Sequence, residues 1–402
     1  MVWNMLFYVQ QVNKEKGSKL HQVVLDFTTY SDHRRFAQFL DGRATSDGSV
    51  QGSTPSMIRF SYEPDGYSSF REGSWYEIDM KAFDGAEYVP VEIDAAGGSF
   101  LGAELKSVLW KAVSRSKKLA SPQIATVSTA PIQFFVDPNP TGSITLTVVD
   151  CGHANWNEIE TPSDRIIYDV GASRYFTKAM VRDVIVSRKI GTEKRPICLF
   201  ISHWDVDHYL ALLEFNPVEL SKLRNVVVPS QIPNTATFAR VCQLLADNNV
   251  PLTAIPPAAR PANSSRVIAL VQHWRQGAFT IFRATSGRAR NQTGIVLGVQ
   301  GSNQVALLTG DHHYDKVLTA SANVASYGRA SCVLVTPHHG GAAGNVATKD
   351  WHNVFSSLTT PISCGANSYG HPLDEVESTL NSMQAGVPPW RTDQQGTWTT
   401  TL

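Results

Sequence analysis

In the run His203-Trp204-Asp205-Val206-Asp207-His208, two imidazoles and two carboxylates fall within six consecutive residues. Imidazole nitrogen and carboxylate oxygen are the ligands that a borderline or hard divalent ion takes. In an extended chain His203 and Asp205 point the same way, whereas the adjacent Asp207 and His208 diverge. Such a set can serve two metal ions rather than one. The alternative is a polar loop with internally satisfied histidines, and the density of ligand types weighs against it. The run follows 196–202 (PICLFIS), which reads as a buried strand, so the polar groups gather where the chain leaves a sheet edge.

Three further segments repeat the arrangement. GDHHYD (310–315) follows the apolar VALLT, and Asp311 there reads as a bridging ligand or as an ordinary strand-Gly-Asp turn. TPHHGG (336–341) offers His338 and His339, with glycines after them that permit close backbone approach. SYGHP (368–372) holds His371 in a loop before a proline, either as a site residue or as a structural histidine. Arg288 and Arg290, in SGRARNQTG, read as phosphate ligands or as a solvated loop. His273, in VIALVQHWRQG, has no strand-end or glycine context and reads as structural.

The elements that must position these groups begin after DPNPTG (137–142), where prolines and a glycine break regular structure. SITLTVVD (143–150) and RIIYDVG (165–171) read as adjacent strands, and 178–189 as a helix leading to the buried strand at 196–202. Further strands are expected at 225–230, 279–284, 293–299, 304–311, 332–341, 361–365 and 396–402, with helices near 236–247 and 373–384. Apolar strands alternating with helices indicate α/β layering. Before the break, β-like runs at 21–29, 56–62, 74–83 and 87–93 surround a polar loop at 43–56. Residues 101–118 carry apolar positions at helical spacing, with Lys111, Arg115 and Lys118 on one face. The expected organisation is an N-terminal α+β domain over 1–140 and a second domain over 141–402.

The chain's 402 residues carry 35 basic and 35 acidic side chains, so no global charge favours coating duplex nucleic acid. Only 17% of residues are charged, which fits a compact, strand-rich protein. The five cysteines form no C-x-x-C pair and read as free thiols in a reducing compartment. The N-terminal stretch lacks a basic start and no long apolar run occurs, so a cytoplasmic location without a membrane span is expected.

The order of the motifs resembles the metallo-β-lactamase superfamily, and within it the hydrolase domain of ComEC-type DNA-uptake proteins and their soluble relatives. The resemblance runs from about Ser143 to Leu402. It rests on Asp150-Cys151-Gly152-His153-Ala154-Asn155, on Asp169-Val170-Gly171 and on Ser202 to His208. It continues through Leu308, Gly310 and Asp311, His338-His339-Gly340, Asn367-Ser368-Tyr369-Gly370-His371-Pro372, and Thr392-Asp393 with Gly396. Asn155 stands where the family usually has Asp, and Gly341 where it has Ser.

This resemblance implies an αββα sandwich preceded by the smaller α+β domain. It implies that His203, Asp205, Asp207, His208, Asp311 and His338, with His339 as the alternative to His338, hold one or two divalent ions. Zinc is the first expectation, and manganese or magnesium fit the oxygen-rich ligation. Asp207 would also orient a metal-activated water, His371 would assist the leaving group or contact phosphate, and Asn367 would contact substrate. The implied substrate is a phosphodiester, either single-stranded nucleic acid or a small nucleotide. Two alternatives stand beside it. One is an acyl hydrolase acting on a lactone, thioester or β-lactam. The other is a non-catalytic binding or effector module, with the N-terminal domain as the place for a protein partner.

Overall fold

Met5, Phe7 and Val9 alternate along the N-terminal segment and all three are buried, the period of two that lays one face of a strand on a core. The computed structural model describes residues 4–14, 19, 21–41, 57–62, 70–83, 113–115, 136–260, 267–287, 289–346, 348–367 and 369–402. The chain divides into two compact units. One is Met1–Gln123 with Phe176–Met180 and Ile232–Leu244; the other is Ile124–Tyr175 with Val181–Gln231 and Leu245–Leu402.

The first unit contains β1 (Asn4–Lys14), β2 (His21–Phe27), α1 (Tyr30–Asp41), β3 (Met57–Tyr62), β4 (Trp75–Asp79) and β5 (Val113–Arg115). Its strands form one antiparallel sheet in the order β3-β2-β1-β4-β5. Aromatic rings fill the core: Phe7 meets Phe27 at 5.1 Å, and Phe36 of α1 meets Phe83 at 5.2 Å. The helix expected over 101–118 is corrected at its described residues, where Val113 pairs with Ile78 and 113–115 is an edge strand. Cross-strand pairing overrides a helical period when the neighbouring strand offers an open edge. Lys111 and Lys118 lie outside the described residues, as do the strand expected at 87–93 and the loop at 43–56. The run 74–83 is a strand only to Asp79, whose Oδ1 accepts from the Lys81 amide and starts a 3-10 turn.

The strands after the break are β6 (Thr145–Val148), β7 (Trp156–Glu160), β8 (Arg165–Val170), β9 (Ile197–Phe200), β10 (Leu223–Pro229) and β11 (Leu252–Ile255). They continue as β12 (Leu270–Gln276), β13 (Phe279–Ala284), β14 (Ile295–Gln300), β15 (Gln304–Leu308), β16 (Ser331–Val335), β17 (Ser357–Thr359) and β18 (Trp398–Thr401). The helices are α2 (Lys178–Ser187), α3 (Val206–Tyr209), α4 (Pro217–Leu220), α5 (Ala236–Asp247), α6 (Tyr314–Ala322), α7 (Thr348–Val354), α8 (Asp374–Met383) and α9 (Thr392–Gln395). One sheet runs β11-β10-β9-β8-β7-β6-β18 and the other β12-β13-β14-β15-β16-β17.

A single apolar core joins the two sheets, with Leu146, Ile166, Phe200 and Val227 from the first and Ile281, Leu297, Leu308 and Val333 from the second. Leu307 and Leu334 of the second sheet face the other way, onto Val317 of α6, Trp351 of α7 and Leu380 of α8. Sheet packs on sheet, with helices outside: an αββα sandwich.

Two strand expectations are corrected. β6 and β8 are not neighbours, because β7 pairs between them. Its sequence WNEIE hides a strand, since Asn157 and Glu158 are both buried; Glu158 is held by Arg165 at 2.8 Å and by Arg188. At 361–365 there is only an isolated bridge from Ile362 to Arg391, and the strand precedes it as β17. All five cysteines are unpaired, four of them buried and Cys242 half-buried. Among the described residues no helix is long and apolar enough to cross a membrane.

Candidate metal centre

β8 and β9 pair in parallel, as do β15 and β16, so the carboxyl ends of each pair lie together. Open α/β sheets present functional groups at such ends. Asp169 closes β8, Ser202-His203 follow β9, Asp311 follows β15, and His338-His339 follow β16. After β9 the chain turns at Asp205 into the four-residue α3, which sets Asp207 and His208 side by side. Gly171 is required against this turn: a Cβ there would lie 1.8 Å from the Asp207 carbonyl oxygen. That carbonyl in turn accepts from the Asn155 amide at 3.0 Å.

The side chains converge. His203 Nε2 lies 3.4 Å from Asp205 Oδ2 and 3.7 Å from Asp311 Oδ2. His208 Nε2 is 3.3 Å from Asp311 Oδ1, and His339 Nε2 is 3.3 Å from Asp207 Oδ2. Two groups bring their ligand atoms within 4.8 Å of one another: His203, His208 and Asp311, and Asp207, His208 and His339. Nε2 of His203, His208 and His339 and Oδ1 of Asp311 are buried without a hydrogen-bond partner among the described residues. Each such orphan costs about 1–3 kcal/mol, and a divalent cation is the kind of group that uses converging imidazole and carboxylate lone pairs.

Burial alone would raise the Asp207 carboxyl, but the His208 and His339 imidazoles override it and hold it well below the usual carboxylate range. Burial likewise opposes charge on His208, and the Asp169, Asp311 and Asp207 carboxylates reverse this and raise it well above the ordinary imidazole value.

The next layer of contacts fixes the candidate ligands. Asp169 is fully buried, sits at φ 60°, and places Oδ2 2.7 Å from His208 Nδ1. The same oxygen accepts from Ser202 Oγ at 2.8 Å and Asn155 Nδ2 at 2.7 Å. Asn155 therefore donates where an aspartate would set a second carboxylate against Asp169. His339 Nδ1 reaches the Ser363 carbonyl at 2.8 Å. Both contacts leave Nε2 as the free ligand atom. Asp169→Asn is expected to weaken metal affinity by about 10–100-fold, the usual effect of losing such a partner. Competition with a chromophoric chelator measures it, and unchanged affinity would remove Asp169 from this role.

The other residues singled out in the sequence are placed as follows. Side-chain exposure of His338 is 30%, and its Nε2 stands 3.8 Å from Asp311 Oδ2. His371 packs against the His338 ring at 5.1 Å and follows Asn367, whose amide is fully used inside the loop. Asn367 Nδ2 donates to the Gly365 and His371 carbonyls, and its Oδ1 accepts from the Tyr369 and His371 amides. Burial and His338 push the His371 imidazole down to about 3, so it faces the site uncharged. A Cβ on Gly341 would lie 2.3 Å from His371 Cε1, so the ring occupies the room a serine would need. Arg290 Nε pairs with Asp205 Oδ1, and Asn291 Nδ2 donates to Asp311 Oδ2 at 3.3 Å. Arg288 lies outside the described residues. His273 is half-buried on β12, the edge strand of the second sheet.

Three residues that the sequence reading left without a role surround the cluster. The buried His153 ring is 4.5 Å from that of His339, and burial, then the charge on His339, push it well below its ordinary value. Tyr369 stacks on His371 at 5.4 Å, and the Arg174 guanidinium carbon lies 5.4 Å above the Tyr369 ring. No local pattern marks Arg174; only the fold brings it here.

Strand order and ligand positions together define an αββα sandwich with a His/Asp cluster at the carboxyl ends of its parallel strands. Neither a protein-family model nor a curated protein sequence matches the chain. Among solved structures it is similar to YhfI, a metallo-β-lactamase fold protein from Bacillus subtilis (TM-score 0.36, 11% identity, 64% of this chain and 100% of that one). It is also similar to a diphosphatase from the PhnP family (TM-score 0.37, 12% identity, 65% of this chain and 98% of that one).

Proposed function

We propose that this chain is a metal-dependent hydrolase of phosphoesters, with phosphodiesters of single-stranded nucleic acid or a small nucleotide as the substrate class. The observation that carries the reading is the pair of clusters joined at His208, Asp207 with His339 on one side and His203 with Asp311 on the other, in which Nε2 of the three histidines and Oδ1 of Asp311 are buried without a hydrogen-bond partner among the described residues. The motif order that resembles ComEC-type hydrolase domains supports the same class. Asp207, His208, His339 and Asp311 would hold a divalent ion, which when bound supplies Lewis acidity, polarising a phosphoryl oxygen and lowering the pKa of a water toward about 7.

The chain's own groups supply the rest. Asp207, ionised across the working range, accepts a proton contact from the attacking water while fixing its position. His371, uncharged, offers a ring nitrogen to a substrate oxygen, and Asn367 holds its loop through four hydrogen bonds. Arg174, above Tyr369, places a guanidinium beside the imidazole cluster, a charge that suits an anionic substrate better than a lactone or thioester. The test is a comparison of kcat/KM for bis-p-nitrophenyl phosphate with those for a lactone and a thioester. The phosphodiester is expected to be favoured by at least about a hundredfold. The reverse preference would assign the chain to acyl transfer instead.

A further inference from the structure

We infer that the centre holds one metal ion, with Arg290 and Asn291 standing where the ligands of a second would have to open. The inference rests on the metal-dependent reading above and sharpens it. The two ligand groups share His208. Its Nδ1 is committed to Asp169 at 2.7 Å, so only Nε2 remains, and one imidazole lone pair serves one ion. Filling both groups would ask that lone pair to serve two ions; Asp207 and His339 complete one set with it, and Asp311 Oδ1 lies 3.3 Å from His208 Nε2.

The other side would draw on His203 Nε2, Asp205 and Asp311 Oδ2, the oxygen beside which the 30% exposed His338 sets its Nε2 at 3.8 Å. Here the turn Arg290–Gln292 intervenes. Arg290 Nε pairs with Asp205 Oδ1, both side chains being nearly buried at 10% and 13% exposure. Asn291 Nδ2 donates to Asp311 Oδ2 at 3.3 Å, the oxygen that would have to bridge. Nor does the intervening chain bring in a replacement ligand. Between His208 and Asp311 the only imidazole is His273, on a strand three places from β15 in the sheet order. At about 4.8 Å per strand that is roughly 14 Å away. The guanidinium thus supplies the positive charge that Asp205 would otherwise take from a second ion, without an open coordination position.

Metal content tests this. Purified full-length protein is loaded with excess manganese, freed of unbound ion, and measured by elemental analysis and electron paramagnetic resonance, beside Arg290→Met and Arg290→Met/Asn291→Ala. The wild type is expected to hold one manganese per chain with the spectrum of an isolated ion. The double variant is expected to approach two, with the spectrum of a coupled pair. Two coupled ions in the wild type would overturn the inference while leaving the metal-dependent reading standing. No ion in the wild type would overturn both. Folded variants that still take one ion would show that Arg290 and Asn291 do not set the number. If the variants fail to fold, the wild-type count and spectrum still decide.

Discussion

Asp207→Ala is expected to lower phosphodiester turnover by about a thousandfold and to release most of the bound metal. The carboxylate stands 3.3 Å from His339 Nε2 and groups with His208 and His339 as a set that could hold a metal ion. Removing it leaves two buried imidazoles without the charge that organises them. A metal ion contributes several kcal/mol of transition-state charge stabilisation, and each 1.36 kcal/mol is about a factor of ten in rate. Loss of the ion at its working position therefore costs roughly three powers of ten. The backbone is not expected to follow, because the Asp207 carbonyl, which anchors the Asn155 amide, is untouched by truncating the side chain. Circular dichroism should match the wild type while rate and metal content fall together. A variant that kept the wild-type rate would remove Asp207 from the chemistry.

Asp26→Asn is expected to stabilise the first unit above neutral pH. Asp26 lies on β2, is fully buried, and accepts from Gln10 Nε2 at 3.1 Å. Burial raises its carboxyl to about 7 from 3.8, even though hydrogen bonds from Thr235 and Gln10 pull the other way. The folded state thus holds a proton that the unfolded chain has already lost, so stability falls as pH rises from about 4 to about 7 and is level beyond. At about 1.4 kcal/mol per pH unit the full loss is on the order of 4 kcal/mol. Asparagine carries no charge at any pH and keeps an acceptor for Gln10. Urea midpoints should therefore separate the variant from the wild type at pH 8 and converge near pH 4. Parallel pH profiles would show that Asp26 does not titrate in this way.

The segments of the candidate site are legible because each follows a buried strand, and a buried strand reads as an unbroken apolar run ending abruptly in polar residues. ICLF before Ser202, VALL before Asp311 and CVLV before His338 all have that form. β7 is not legible, because two polar residues, Asn157 and Glu158, are buried on its opposite faces, and Glu158 is balanced by Arg165 and Arg188 from other elements. β5 does not show in the sequence, because three residues inside a helical period cannot announce the open strand edge they join. Which histidine of the pair turns inward depends on Ser363, and the engagement of Arg290 with Asp205 depends on how the two sheets meet. Neither is encoded near the residue it decides. His153, Arg174 and Tyr369 belong to the same class, since their neighbourhood is made by strand order.

The most direct test of the metal-dependent reading is hydrolysis of bis-p-nitrophenyl phosphate by full-length protein before chelation, after chelator treatment and dialysis, and after return of zinc or manganese. Turnover is expected to disappear with the metal and to return with it, while the fold persists throughout. Undiminished turnover by the stripped protein would contradict it.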